Sequence, residues 1–389
     1  MEISAEVGTS NRLDWLDALR GWAILGVLLV HVQMFICTLQ NPLLAEITLC
    51  GQFGVQLFFI ISALTISITY DSHIAKYGLN TRSSISWFVK RFFRIAPLYY
   101  VAIAVQLLFS TVSKIHHPDA PFAPGLTAIF SNILFVHTWV PAGNNYVVPG
   151  GWSVGVEMFF YLLVPVIWNI KDPRNRAKCL ALGIPVMLGL TLWVSHAHVG
   201  SWKVPNDTYF YFWFPTQYGV LAIGLIYYFK YYKLPDNMTL VKVVIRVGAA
   251  CLALITGVAC SFWLNLNAGL APICMGTCFG LLIPFIRLHH PRLIVNGLMI
   301  YVGRLSYSIY LANMFVVMSL NYLLHEFFHI KVPQTAFPLC YLSFVTILCI
   351  VATATKKHIE DPMIDIGHAL SSRMIQMEKR PESFCSTRG

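Results

Sequence analysis

Residues 11–31 read NRLDWLDALRGWAILGVLLVH. A polar approach carrying Asp14 and Asp17 ends at Arg20, and an unbroken apolar run then carries His31. At roughly 100° per residue, the step from Arg20 to His31 is about three helical turns. Both side chains therefore leave one face, about 16 Å apart along the axis. An arginine at a membrane boundary is ordinary, because its stem snorkels. An imidazole about halfway along a spanning helix is costly, and it usually faces the bundle interior and serves function. A core histidine bonded to a neighbouring helix is the plainer reading, and the motifs downstream bear on the choice.

The composition fits a membrane solvent. Hydrophobic residues make up 57% of the 389 positions and charged residues only 11%, against about 25% charged in a soluble domain. The chain reads as all-α, a polytopic transmembrane helix bundle. The net charge of +10 need not mean nucleic acid, since a positive-inside bias gives the same excess. The ten cysteines are scattered, mostly within apolar runs, and read as small buried hydrophobes rather than disulfides or metal ligands. No small-residue cleavage site follows the first apolar run, so it is expected to stay in the mature protein.

Apolar runs of spanning length fall at 20–38, 52–70, 96–113, 152–170, 179–197, 209–229, 243–264, 270–287, 298–323 and 334–355. A shorter run, 124–139, is bracketed by Pro-rich and Gly-rich segments. Charge decides its status. With ten spans, all of the 27 Lys and Arg except Lys114, Lys203, Lys331 and Arg304 fall on the side of the two termini. A further crossing at 124–139 would scramble that partition. The expectation is therefore ten spans with both termini cytoplasmic. Residues 114–151 become an outer loop that dips toward the bilayer. The domain division is a cytoplasmic tail over 1–11, a transmembrane domain over 12–362 and a disordered cytoplasmic tail over 363–389.

Chemistry-bearing side chains concentrate in the first half. Ser62 lies in the second span at about the depth of His31, where a serine commonly bonds a backbone carbonyl. Lys90, Arg91 and Arg94 fit neighbouring turns of a short helix closed by Pro97. Each alone reads as positive-inside anchoring; with Arg20 they make a pocket for a phosphorylated cytosolic ligand. Glu157, in GGWSVGVEMFFY, enters the bilayer from the outer side. A carboxylate there needs a polar cavity or a partner. By depth it comes within about 6 Å of the level of His31. The Tyr and Ser residues of GRLSYSIYLAN (303–313) either line a cavity or join helices.

Several of these motifs, taken in order, resemble one family, the acyltransferase-3 integral-membrane proteins that O-acylate sugars and other surface molecules. They are LDALRGWAILGVLLVH, GVQLFFIISA, KRFFRIAPLY, GWSVGVEMFFYLLVP, GRLSYSIYLAN and IEDP. The resemblance implies a ten-helix core and an acyl-CoA donor, usually acetyl-CoA, reached from the cytoplasm. It further implies an acceptor hydroxyl on the outer side, in a multi-pass protein of the plasma or inner membrane. In that reading Arg20 and His31 are the family's first-span pair. Arg91 and Arg94 match its basic motif, and Glu157 its Trp-Ser-x-x-x-Glu carboxylate. Ala63 stands where the family usually has Gly, and Asn313 where many members have His.

Acyl transfer to an alcohol needs a base for the hydroxyl proton and stabilisation of the oxyanion. His31 is the expected base, with Glu157 orienting it or positioning the acceptor. Arg20, Arg91 and Arg94 would hold CoA phosphates. Ser62, Trp152, Ser153, Tyr310 and Asn313 are candidates for substrate or oxyanion contacts. No metal is expected. The expected partners are the lipid bilayer, acyl-CoA and a carbohydrate or lipid-linked glycan acceptor, with no nucleic acid. A proton-coupled transporter of a small anion or lipid is the rival reading of the same intramembrane His and Glu. An inactive scaffold, suggested by Asn313, is a third.

Overall fold

The computed structural model describes residues 13–116, 124–197, 206–232, 240–262 and 269–378. Among them there is no strand. The helices are α1 (Asp14–Phe35), α2 (Pro42–Leu49), α3 (Gly54–Tyr77), α4 (Thr81–His116), α5 (Leu126–Ile133), α6 (Trp152–Asn169), α7 (Pro173–Ala197), α8 (Asn206–Phe212), α9 (Phe214–Tyr227), α10 (Leu240–Phe262), α11 (Leu270–His289), α12 (Gly297–Arg304), α13 (Ser306–Asn321), α14 (Phe337–Thr355) and α15 (Asp361–Glu378).

Nine helical stretches among the described residues are long and apolar enough to cross a membrane. The expected span at 209–229 is the remaining one. It breaks at Trp213, whose backbone is extended, and resumes as the fourteen-residue α9. A π-turn over Tyr228–Tyr232 prolongs it. Together they approach the ~30 Å hydrocarbon thickness. Almost every residue of α9 is buried, so this is the central helix of the bundle. The segment 124–139 does not cross. It forms the eight-residue α5 and a 3₁₀ turn at His137–Trp139, with Asn132, His137 and Thr138 buried.

Three boundaries differ from the sequence reading. The basic segment before Pro97 is no short helix: α4 runs through Pro97 for 36 residues. Tyr307 Oη donates to the Ile95 carbonyl, two residues before Pro97, at 2.7 Å. The run 298–323 breaks at Leu305. Arg304 ends α12 with its guanidinium held by Asp14 and Asp17, and the crossing proper begins at Ser306. The tail expected to be disordered from 363 is helical through Glu378. Its buried stripe includes Gly367, Ser371 and Ile375. Two of these are small, so α15 lies close on α4, with Ser371 Oγ and Ser86 Oγ at 2.6 Å. Residues 1–12, which include all of the expected N-terminal tail, and 379–389, the outer part of the expected C-terminal one, lie outside the described residues.

Helices in lipid associate by close packing rather than by a hydrophobic drive, and small residues set the contacts around the first span. Gly26 of α1 faces Gly51 so closely that a methyl group on Gly51 would overlap the Gly26 carbonyl. Gly54 is likewise against Ala23. The start of α3 is thus level with residues 23–27 of α1, and the two helices run in opposite directions. Ala63 seats its methyl beside Gly224 of α9. Asp14 meets Arg304 and Glu360 meets Ser308, which brings the first and last described helices to the same end of the bundle. That end is called the terminal end below, and the other the far end.

Candidate active site

A cavity of about 90 Å³ lies between α1, α3, α4, α6 and α13. That is room for a few waters, yet three guanidiniums and one carboxylate line it: Arg20, Arg91, Arg94 and Glu157. Their placement follows from the helices that carry them. Arg91 and Arg94 lie three apart on α4, on one face. Arg20 comes from the terminal end of α1. Opposite them, α3 presents a ladder of hydroxyls. Arg20 Nη2 donates to Thr65 Oγ1 at 2.7 Å, and Arg91 donates to Thr69 Oγ1 one turn further along. Each threonine hydroxyl donates back into its own helix, Thr65 to the Ile61 carbonyl and Thr69 to that of Thr65, both at 2.8 Å. Their lone pairs are thereby aimed at the arginines. The Arg91 guanidinium also lies over the Trp87 ring at 5.7 Å, a cation–π seat. Among the described residues neither Arg91 nor Arg94 forms an ion pair, and Arg94 is exposed. Arg20 is paired with Asp17 at 2.7 Å, whereas Arg91 and Arg94 offer positive charge that no carboxylate among the described residues meets at contact distance.

Glu157 faces these cations across the space. It acts on Arg20 and Arg91 electrostatically without touching either. Its direct partner is Tyr161, one turn along α6, whose Oη donates to Glu157 Oε1 at 2.6 Å. Ser153, Glu157 and Tyr161 form one stripe at i, i+4 and i+8, and all three line the cavity.

Toward the far end the lining becomes neutral and hydroxyl-rich. Ser153 Oγ donates to Tyr310 Oη at 2.8 Å, and Tyr310 Oη donates to the Gly150 carbonyl at 2.8 Å. Ser62 also lines the cavity. Trp152 does not; it is buried behind the wall, stacked on Phe212 at 4.7 Å and edge-on to Phe59.

His31 stands outside this lining. Seven residues beyond Ile24, it lies about 10 Å further toward the far end than the start of α3, while the α3 wall of the cavity runs the other way, from Val55 to Ile66. Asn313 is the polar side chain within reach of the imidazole. Neither His31 Nδ1 nor Asn313 Oδ1 completes a hydrogen bond in this conformation. Asn313 Nδ2 donates to the carbonyl of Tyr310, so His31, Asn313 and Tyr310 follow one another into the cavity. Arg20 and His31 do share a face of α1, about 16 Å apart along its axis.

The structure thus gathers Arg20, Arg91, Arg94, Glu157, Ser62, Ser153 and Tyr310 around one space. It sets His31 and Asn313 just beyond, and it buries Trp152. Sequence reasoning missed Thr65, Thr69 and Tyr161. Tyr161 was findable, since it lies four residues after Glu157 on the same helix. The threonines carried no signal apart from sharing a helix with Ser62. His137 was missed as well: it is fully buried, stacked 5.9 Å from Tyr99 and bonded to the Gly151 carbonyl at 3.1 Å. There it braces the turn that opens α6.

A family model described as an acyltransferase domain matches residues 13–354. The chain belongs to the acyltransferase-3 family. Comparisons with curated proteins and with solved structures gave no match. As a member of that family this is a multi-pass membrane acyltransferase. Every residue that lines the cavity falls within the acyltransferase match. Glu360 and α15 lie beyond it, and they pack on the same α4 that carries Arg91 and Arg94.

Proposed function

We propose that this acyltransferase takes an acyl group, acetyl in the first instance, from acyl-CoA on the cytoplasmic side. It passes that group to a hydroxyl of a cell-surface or lipid-linked carbohydrate, at the plasma or inner membrane. Both termini are then cytoplasmic, and the terminal end of the bundle is the donor side. One observation carries the reading: three arginines converge on a small cavity in which a single carboxylate faces them without pairing to any. An anionic, phosphate-bearing donor supplies the missing negative charge. Arginine's planar fork suits phosphate oxygens better than lysine does.

The donor's phosphates sit at Arg91 and Arg94, and Arg20 receives the inner part of the thioester arm. The acceptor arrives from the far end, past His31. His31 takes the proton of the acceptor hydroxyl as its oxygen forms a bond to the thioester carbonyl carbon. The tetrahedral oxyanion takes over the hydroxyl hydrogens of Ser153 and Tyr310, which in the resting protein are given to Tyr310 Oη and to the Gly150 carbonyl. Collapse breaks the carbon–sulfur bond, and the departing thiolate takes the proton back through the imidazolium, leaving an ester, CoA thiol and neutral His31. Glu157, fixed by Tyr161, balances the arginine charge and orients the reacting groups. His31 must approach the thioester from the outer end of the path, so the reacting atoms meet near Tyr310.

The test is thiol release from acetyl-CoA by the purified protein in membranes, with a native lipid and glycan extract as acceptor and His31→Ala alongside. Acceptor-dependent release that disappears in the variant supports the reading, and the labelled product identifies the acceptor. Full release by a folded, inserted His31→Ala protein contradicts the assignment of the base. No release with acetyl-, succinyl- or longer acyl-CoA contradicts the donor.

A further inference from the structure

Arg304 is exposed at the terminal end and lines no part of the cavity, yet the structure ties it to a residue that does. Arg304 Nη2 meets Asp14 Oδ1 at 3.0 Å, and its Nε meets Asp17 Oδ2 at 3.5 Å. The other oxygen of Asp17 accepts from Arg20 Nη1 at 2.7 Å. Asp17 thus stands between two arginines, one oxygen for each. The backbone fixes this spacing. Gly303 lies against the Asp17 carbonyl, and Gly21 lies against Met299, so closely that a methyl on either would overlap the opposite chain. Helix α12 therefore cannot drift from α1, and Arg304 is delivered to Asp17 at a set distance.

We infer that Arg304 is a positioning residue for Arg20, acting through Asp17; this rests on the proposed role of Arg20 as a ligand of the donor. The mechanism is a competition. While Arg304 occupies Oδ2, Asp17 engages Arg20 through one nitrogen only, and Arg20 Nη2 stays on Thr65 with its fork open to the cavity. Without Arg304 the whole carboxylate is free to take Arg20 in a bidentate pair, the geometry the two groups prefer. That pairing turns the guanidinium away from Thr65 and from the inner part of the donor's thioester arm. Among the described residues Asp14 is paired with Arg304 and not with Arg20, so it belongs to the same device one step further out.

The experiment is equilibrium binding of labelled acetyl-CoA to the full-length protein in membranes, paired with turnover. Arg304→Gln is expected to weaken binding by about fivefold, the size of a partly exposed ion-pair effect, with kcat little changed. Arg304→Lys should recover part of the loss, and Asp14→Asn should give a smaller loss in the same direction. The deciding arm is the Arg20→Ala background, where Arg304→Gln should have no further effect on binding. An equal loss in both backgrounds overturns the inference, since Arg304 would then act on the donor without Arg20. A fall in kcat with unchanged binding overturns it too. If Arg20→Ala itself leaves donor binding intact, it is the proposed role of Arg20 that fails. Thermal melting of each variant separates these outcomes from misfolding.

Discussion

Tyr161 and Glu157 form a hydrogen-bonded pair within one helix: the phenol donates to Glu157 Oε1 at 2.6 Å from one turn further along α6. The carboxylate thereby keeps one oxygen fixed and presents itself to the cavity that Arg20, Arg91 and Arg94 share. A hydrogen bond to a charged group contributes more than a neutral one, about 1.5–3 kcal/mol. Tyr161→Phe should therefore lower kcat by about tenfold with little change in KM, and Glu157→Gln should lower it further. Steady-state kinetics on both variants checks the order. Tyr161→Phe falling as far as Glu157→Gln would mean that the phenol itself takes part.

Arg91 has two partners, the Thr69 hydroxyl and the Trp87 ring. Neither competes for charge. Arg91→Ala should raise KM for acyl-CoA by at least tenfold while affecting kcat less. Arg91→Lys should restore only part of the loss, because a lysine keeps the charge but not the fork. The donor-concentration dependence of transfer measures both.

Asn313 reaches toward His31 while holding the Tyr310 carbonyl. Asn313→Leu keeps the branched shape, with added bulk, and removes the polar side chain within reach of the imidazole. Transfer should fall about tenfold, a modest part of the 10²–10⁴ available from general base catalysis, with expression and melting temperature maintained. Asn313→His should retain transfer, since a second imidazole restores a hydrogen-bonding partner. A variant as active with Leu as with Asn would remove Asn313 from the account.

The contact of Gly26 with Gly51 makes a prediction about stability. Gly51→Ala forces a methyl into the Gly26 carbonyl and should cost about 1–3 kcal/mol, as overpacking does. Gly248→Ala, where nothing lies within 4 Å, should be neutral or slightly stabilising, because alanine is the better helix former. Thermal unfolding in detergent compares the two directly.

Much of this site was legible from the chain alone, for a physical reason. In a membrane segment every charge is conspicuous, so Arg20, Arg91, Arg94 and Glu157 could be picked out one by one, and the cavity gathers all four. Periodicity also put Arg20 and His31 on one face correctly. What it could not supply was the stagger between helices. The Gly26–Gly51 and Ala23–Gly54 contacts set α3 so that its cavity wall runs away from His31, and no pattern in α1 encodes that offset. The break at Leu305 was hidden for a similar reason: Arg304 is paired with Asp14 and Asp17, nearly 300 positions away in sequence. Helix α15 was missed because Gly367 and Ser371 form part of its buried stripe, and neither reads as hydrophobic. Thr65 and Thr69 passed as ordinary helix hydroxyls until the guanidiniums were seen on them.

The account stands most directly on where the donor enters and what receives it. Acetyl-CoA labelled in the acetyl group can be supplied to sealed vesicles of one orientation at a time, and the label followed into the lipid and glycan fraction. We predict transfer when the donor is given to the face bearing the termini, no transfer from the opposite face, and loss of transfer in Arg91→Ala. Label incorporated equally from either face, or undiminished in Arg91→Ala, would contradict an acyltransferase that binds its donor through this arginine cavity.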